Sequence, residues 1–148
     1  MQPDARRRAD TLPWFEKAHK DLRCAQIDLA ADPPAPEDVL YHCQQPAEKA
    51  LEAFLVWHDQ PFPKTHDPGR LGKQAVELDE TLELLIDEIV EFTKYAWMFR
   101  YPGDVEEPSV VEAVAVLRRV RAFVEAMTIR LPKEVRCPLG PHGSARRL

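Results

Sequence analysis

Arg100 and Tyr101 close an aromatic run that contains Tyr95, Trp97 and Phe99. A guanidinium at the end of a helix offers a fork of donors suited to a phosphate or a carboxylate. It serves equally well to pair with Asp104 and pin the turn, and the residues leave both roles open. Gln45 and Lys49 are i,i+4 neighbours, so on a helix they present an amide and an ammonium together; a plain solvated face is the competing account. His66 lies between Thr65 and Asp67 just ahead of a short helical stretch. There its imidazole either completes capping hydrogen bonds, the favoured reading, or moves protons. The candidate binding residues are Gln45, Lys49, His66, Arg100 and Tyr101, with no residue assigned a catalytic role.

Other chemistries lack their patterns. The chain has no GxGxxG or P-loop glycine pattern to cradle phosphates, no GxSxG elbow and no HExxH zinc helix. His42 and Cys43 are adjacent and would point about 100° apart on a helix, a poor arrangement for one metal. Cys43 falls on an apolar stripe and Cys24 flanks another, which suits buried free thiols acting as small hydrophobes. His19, His58 and His142 complete the histidines. Neither a metal nor a cofactor is expected.

The elements that must position these groups read as helices. Trp14, Ala18, Leu22, Ala25 and Leu29 recur at three- and four-residue steps. Leu40, Cys43, Ala47, Ala50, Phe54 and Leu55 do the same in a second block. Leu82, Leu85, Ile86, Ile89, Thr93, Ala96 and Trp97 mark a later one, and Val114, Leu117, Val120, Val124, Met127 and Leu131 the last. Each stripe buries one face of its helix, and four such faces turned inward make a bundle. Gly69 to Leu78 forms a shorter helix, with Asp67 as its N-cap and Pro68 at its first position. No stretch alternates cleanly enough for a strand. The expected fold is all-α, an up-and-down bundle of four long helices plus one short one. Residues 1–13 read as an N-terminal extension, 14–132 as the bundle and 133–148 as a flexible basic tail.

Of the 148 residues 14 are proline, roughly twice the usual share. Thirteen fall at or outside the edges of the periodic blocks, where a missing N–H does least harm. Pro46 alone lies inside one, and a bend or break of the second helix is expected there. From Val76 to Glu112 there are 11 acids and 2 bases, which argues against that face binding nucleic acid unaided. Arg118, Arg119 and Arg121 form the dense basic patch of the folded part and read as a solvated face. No run reaches the ~20 apolar residues of a membrane span, and no apolar signal segment follows Met1. Three cysteines without CxxC spacing fit a reduced, cytoplasmic setting.

Three blocks in this order resemble the HEPN family, a small helical domain named for its occurrence in higher eukaryotes and prokaryotes. After a first-helix pattern of Ala18, Asp21, Leu22 and Ala25 comes Cys43 to Leu51, similar to the family's Q-x-A-E-K-A-L core. Pro63-Lys64-Thr65-His66-Asp67 resembles its P-x-T-H-D/N approach to helix three. Tyr95 through Arg100-Tyr101-Pro102 resembles its Y-x(4)-R-Y-P close to helix four. The likeness covers roughly Trp14 to Leu131.

The resemblance implies a helical bundle, usually a homodimer, often paired with a minimal nucleotidyltransferase and in many cases part of a toxin–antitoxin pair. Its ribonuclease branch uses an arginine, four to six residues and a histidine, with arginine holding the scissile phosphate while histidine moves the 2′-hydroxyl proton. This chain departs from that pattern. After Arg100 the next histidine is His142, and the residues between Arg136 and His142, Cys137-Pro138-Leu139-Gly140-Pro141, cannot hold a helical frame. The family also commonly has alanine where Pro46 stands. The leading expectation is a dimeric, non-ribonucleolytic partner of a nucleotidyltransferase, binding a nucleotide near Gln45, Lys49, His66 and Arg100. The alternatives are a divergent ribonuclease toxin acting on RNA, with a histidine such as His66, and a helical scaffold with no ligand.

Overall fold

Pro36 opens the second helix because its missing N–H would have no partner in a first turn anyway, and Glu37 and Asp38 meet the positive end of the helix dipole. The same logic of caps and apolar stripes sets five helices in the computed structural model of the protein, which describes residues 3–99, 102–103 and 106–136. They are α1 (Pro3–Ala30), α2 (Pro36–Trp57), α3 (Pro68–Leu78), α4 (Glu83–Trp97) and α5 (Val110–Ile129). Single 3-10 turns, Glu80–Leu82 and Lys133–Val135, precede α4 and follow α5. Among the described residues there is no strand. The all-α bundle of four long helices and one short helix is what the periodicity predicts.

Each boundary has a local cause. Asp67 caps α3, its carboxylate accepting from the Gly69 N–H at 2.9 Å. Ser109 caps α5 by accepting from the Glu112 N–H at 3.0 Å. The end of α2 is a Schellman closure: Gln60 N–H donates to the Leu55 carbonyl at 2.9 Å and Asp59 N–H to that of Val56 at 3.0 Å. Asp59 takes the left-handed conformation this requires, with φ 56°.

α2 is the central element and packs against each of the other four helices. Thirteen of its 22 residues are buried. Ala47, Ala50 and Ala53 let neighbours approach closely, while Leu40, Leu51, Phe54 and Leu55 fill the space between them, fully or almost fully buried. α3 and α4 also meet closely: a Cβ at Gly72 would run into Ile86 Cγ2.

The expected break at Pro46 does not occur, and α2 is one helix from Pro36 to Trp57. An interior proline costs about 3 kcal/mol through one lost hydrogen bond and a ring clash. Burying a single Leu or Phe side chain returns about 1.5–3 kcal/mol, and α2 buries several, so packing outweighs the defect. Helix one also differs from its expected start. It begins at Pro3, runs through Pro13 and buries Thr11, so from Pro3 on the segment 1–13 is part of α1. At the other end Val135 is fully buried, and Arg136 donates to the Leu131 and Ile129 carbonyls, both at 2.9 Å. The rest of the expected tail, from residue 137, lies outside the described residues. Trp97, placed on the inward stripe of α4 by its spacing, is 48% exposed, and Cys24 is exposed as well.

Candidate functional site

The site grows from one polar line along α2. Gln44, Glu48 and Glu52 follow each other at i,i+4 spacing and therefore stack on one face, and all three are buried. A buried carboxylate must find partners or be held neutral. Glu48 accepts from His66 Nδ1 at 3.3 Å, and its side chain is 4% exposed against 78% for His66. Glu52 accepts from Lys49 Nζ at 3.2 Å. Burial pushes the Glu52 carboxyl above its ordinary value, and the Lys49 charge opposes that rise. Gln44 Nε2 donates to the Thr93 carbonyl of α4 at 3.2 Å, while its Oε1 is buried with no partner among the described residues.

α1 and the loop after α2 close the site on a further side. The Lys49 ammonium lies 5.3 Å from the centre of the Trp14 ring, a cation–π contact. Trp14 meets Phe62 edge to face with centroids 5.9 Å apart. Asp21, seven residues after Trp14 on α1, has its carboxyl raised by burial, against the pull of Lys49, His42 and Lys17. Two turns before Lys49, His42 Nδ1 meets Asp28 Oδ2 at 2.5 Å and ties α2 to α1.

Of the five residues expected from the sequence, Lys49 and His66 come together here through Glu48 and Glu52, with the His66 charge felt at Glu52. The capping role expected of His66 falls to Asp67, whose side chain accepts from the Gly69 N–H. Gln45 is half-buried on α2, one turn before Lys49. Arg100 and Tyr101, and with them the pairing of Arg100 with Asp104, lie outside the described residues. Tyr95 of the same motif donates its hydroxyl to Glu112 and so links α4 to α5. Burial first, and then that carboxylate, push the phenol up to about 12. Glu48, Glu52 and Trp14 were not expected. Glu48 and Glu52 fall among the other polar residues of α2, so their spacing alone does not mark them as interior, and Trp14 was read only as core.

Nothing among the described residues groups three His, Cys, Asp or Glu side chains around a common metal position. No helix among them is long and apolar enough to cross a membrane. Compared with known families, residues 12–130 match the model of the HEPN domain. The chain belongs to the HEPN domain family. No curated protein and no solved structure matches it. The match spans the HEPN bundle from the turn before Trp14 to the end of α5, and the Glu48–His66 contact joins two of the three blocks that resembled the family.

Proposed function

We propose that this HEPN chain is a homodimeric, non-ribonucleolytic partner of a minimal nucleotidyltransferase in a toxin–antitoxin-like pair, and that it binds a nucleotide near Gln45, Lys49, His66, Arg100 and Tyr101. The observation that carries the reading is the convergence of Lys49 from α2 and His66 from the following loop on the buried carboxylates Glu48 and Glu52. Two cationic or proton-bearing groups are thereby held at one place beside Trp14, whose aromatic surface suits a base. Glu48 and Glu52 outweigh the Lys49 charge, so a phosphate there depends on the Arg100 guanidinium as its main counter-charge. Cys43 supports the reduced, cytoplasmic setting: it is a free, buried thiol, and burial pushes it up to about 12, far from reactive thiolate. Pull-down from the native host and nucleotide-induced melting shifts test the reading together. Recovery of a nucleotidyltransferase and a rise in melting temperature lost in Lys49→Ala are expected; neither recovery nor a shift sinks it.

A second reading, a ribonuclease using His66, is favoured by the Glu48 contact. A carboxylate on Nδ1 leaves Nε2 as the basic nitrogen of an exposed imidazole. It requires growth arrest on expression and RNA cleavage lost in both Arg100→Ala and His66→Ala. Intact RNA removes it.

A further inference from the structure

Lys49 is held between two partners that differ in what they lose without it. Its ammonium donates to Glu52 Oε2 at 3.2 Å and lies 5.3 Å from the centre of the Trp14 ring. Without the carboxylate, Lys49 keeps that aromatic face and its contact with solvent, its side chain being 18% exposed. Glu52 has no such reserve: its side chain is 8% exposed, and Lys49 is its one hydrogen-bond donor among the described residues. An ionised carboxylate inside a bundle with no donor keeps the whole cost of its desolvation. The charged and titratable groups around Glu52 are few. Lys49 and Glu48 come from its own helix, the first favouring its ionised form and the second opposing it, and His66 from the loop ahead of α3 favours it too. α1 brings Asp21, which meets the cluster through Lys49. Among the described residues, α3, α4 and α5 set no charged side chain against Glu52.

An anion that engages the Lys49 ammonium upsets this balance by either of two routes. Where it draws the ammonium away, Glu52 loses its one donor and stays buried. Where it shares the ammonium, it sets a further negative charge beside Glu52, in the same sense as Glu48. A proton on the Glu52 carboxyl relieves both. Burial already raises that carboxyl above its ordinary value, and Lys49 is the main group holding it down. Asp21 is the poorer acceptor of the proton: burial raises it as well, but His42 and Lys17 still hold its charge once Lys49 is engaged.

We propose that binding of an anionic ligand at Lys49 is coupled to uptake of a proton from solvent by Glu52, which trades a buried ion pair for a neutral acid and a lysine given over to the ligand. The coupling rests on the nucleotide reading of this cluster and adds its regulation. Because the bound form holds the extra proton, affinity rises as pH falls, by up to about tenfold per pH unit. Calorimetric titration of the full chain with AMP at pH 7, in two buffers of different ionisation enthalpy, counts the protons. Titration of the AMP phosphate itself is common to parent and variants, so differences between them belong to the protein. The parent should take up about one proton more than Glu52→Gln. That variant should bind AMP at least as tightly as the parent at pH 7, with a weaker dependence on pH. His66→Gln should keep the excess uptake. Equal uptake in parent and Glu52→Gln overturns the coupling and leaves nucleotide binding standing. Uptake lost in His66→Gln and kept in Glu52→Gln puts the proton on the imidazole and overturns it as well. No net uptake by the parent overturns it without a variant. No AMP binding from about pH 5 to 8 removes both the coupling and the nucleotide reading.

Discussion

Two cation–carboxylate pairs, one between elements and one within α2, are built in opposite ways. Asp79, at the turn between α3 and α4, meets Arg130 at the end of α5, with side chains 29% and 23% exposed. Its surroundings are saturated. Arg130 Nε donates to Asp79 Oδ2 at 3.2 Å, Nη2 to Thr81 Oγ1 at 3.1 Å and Nη1 to the Ala126 carbonyl at 2.7 Å. Asp79 also caps the following 3-10 turn by accepting from the Thr81 N–H at 3.0 Å. The Thr81 hydrogen bonds, chiefly, and then Arg130 draw its carboxyl below the ordinary range. Glu52 and Lys49 are more buried, 8% and 18% exposed, yet Glu52 has fewer donors and its carboxyl is raised. A pair that is half-buried and well supplied with hydrogen bonds has a structural job and little left to offer. A pair that is buried and incompletely satisfied keeps a cost that a ligand or partner can relieve.

The largest expected effect follows from the buried pair. Lys49→Ala leaves Glu52 buried without its counter-charge and should cost about 3 kcal/mol in urea denaturation at pH 7. Adding Glu52→Gln should recover more than half of that. A loss below about 1 kcal/mol would mean that Lys49–Glu52 behaves as a surface pair, and the contrast between the two clusters would collapse.

Next in size, Arg130→Ala removes three hydrogen bonds, with an expected cost of about 2 kcal/mol. The nucleotide-induced melting shift should be the same as in the parent. A changed shift would show that the saturated cluster is not merely structural.

The two carboxylates should also titrate in opposite senses. Asp79 is depressed when folded, so its contribution is present above pH 3.8 and is lost as pH falls through its folded value. Glu52 is raised, so the folded state holds its proton longer, and stability declines as pH climbs from 4.5 to the folded value. In pH-resolved denaturation, the deficit of Asp79→Asn should therefore grow with rising pH below 3.8 and then stay level. The stability of Glu52→Gln relative to the parent should rise with pH above 4.5. Parallel curves for the two variants contradict the assignment.

The smallest effect tests the loop that carries His66. Asp59 sits in the left-handed region with φ 56°, and Asp59→Gly should stabilise the fold by about 0.5 kcal/mol. The Lys49 and Arg130 contributions should not move. A loss of stability would mean that the Asp59 side chain contributes more than its backbone strain costs.

How far the sequence could be read depended on the distance over which each cause acts. Asp67-Pro68, Pro36-Glu37-Asp38 and Ser109 mark helix starts because caps and dipoles act within one turn, and the structure has helices starting there. The break expected at Pro46 and the helix start expected after Pro13 failed for the same reason. A proline's penalty is local and visible, whereas the burial that outweighs it along α2 comes from four other helices. The site followed this division. Lys49 and His66 stood out by type and motif, but the buried carboxylates that gather them did not, since nothing local marks Glu48 and Glu52 as interior.

By itself, the sequence determined the helical class, the number of helices and the HEPN membership, because periodicity, caps and motif order are carried by near neighbours along the chain. Only the tertiary structure decided that α2 stays whole through Pro46 and that α1 extends back to Pro3. It also decided that Lys49 and His66 share a buried acidic line. Burial and electrostatic pairing depend on which helices come to lie side by side, and a chain read residue by residue does not contain that distance.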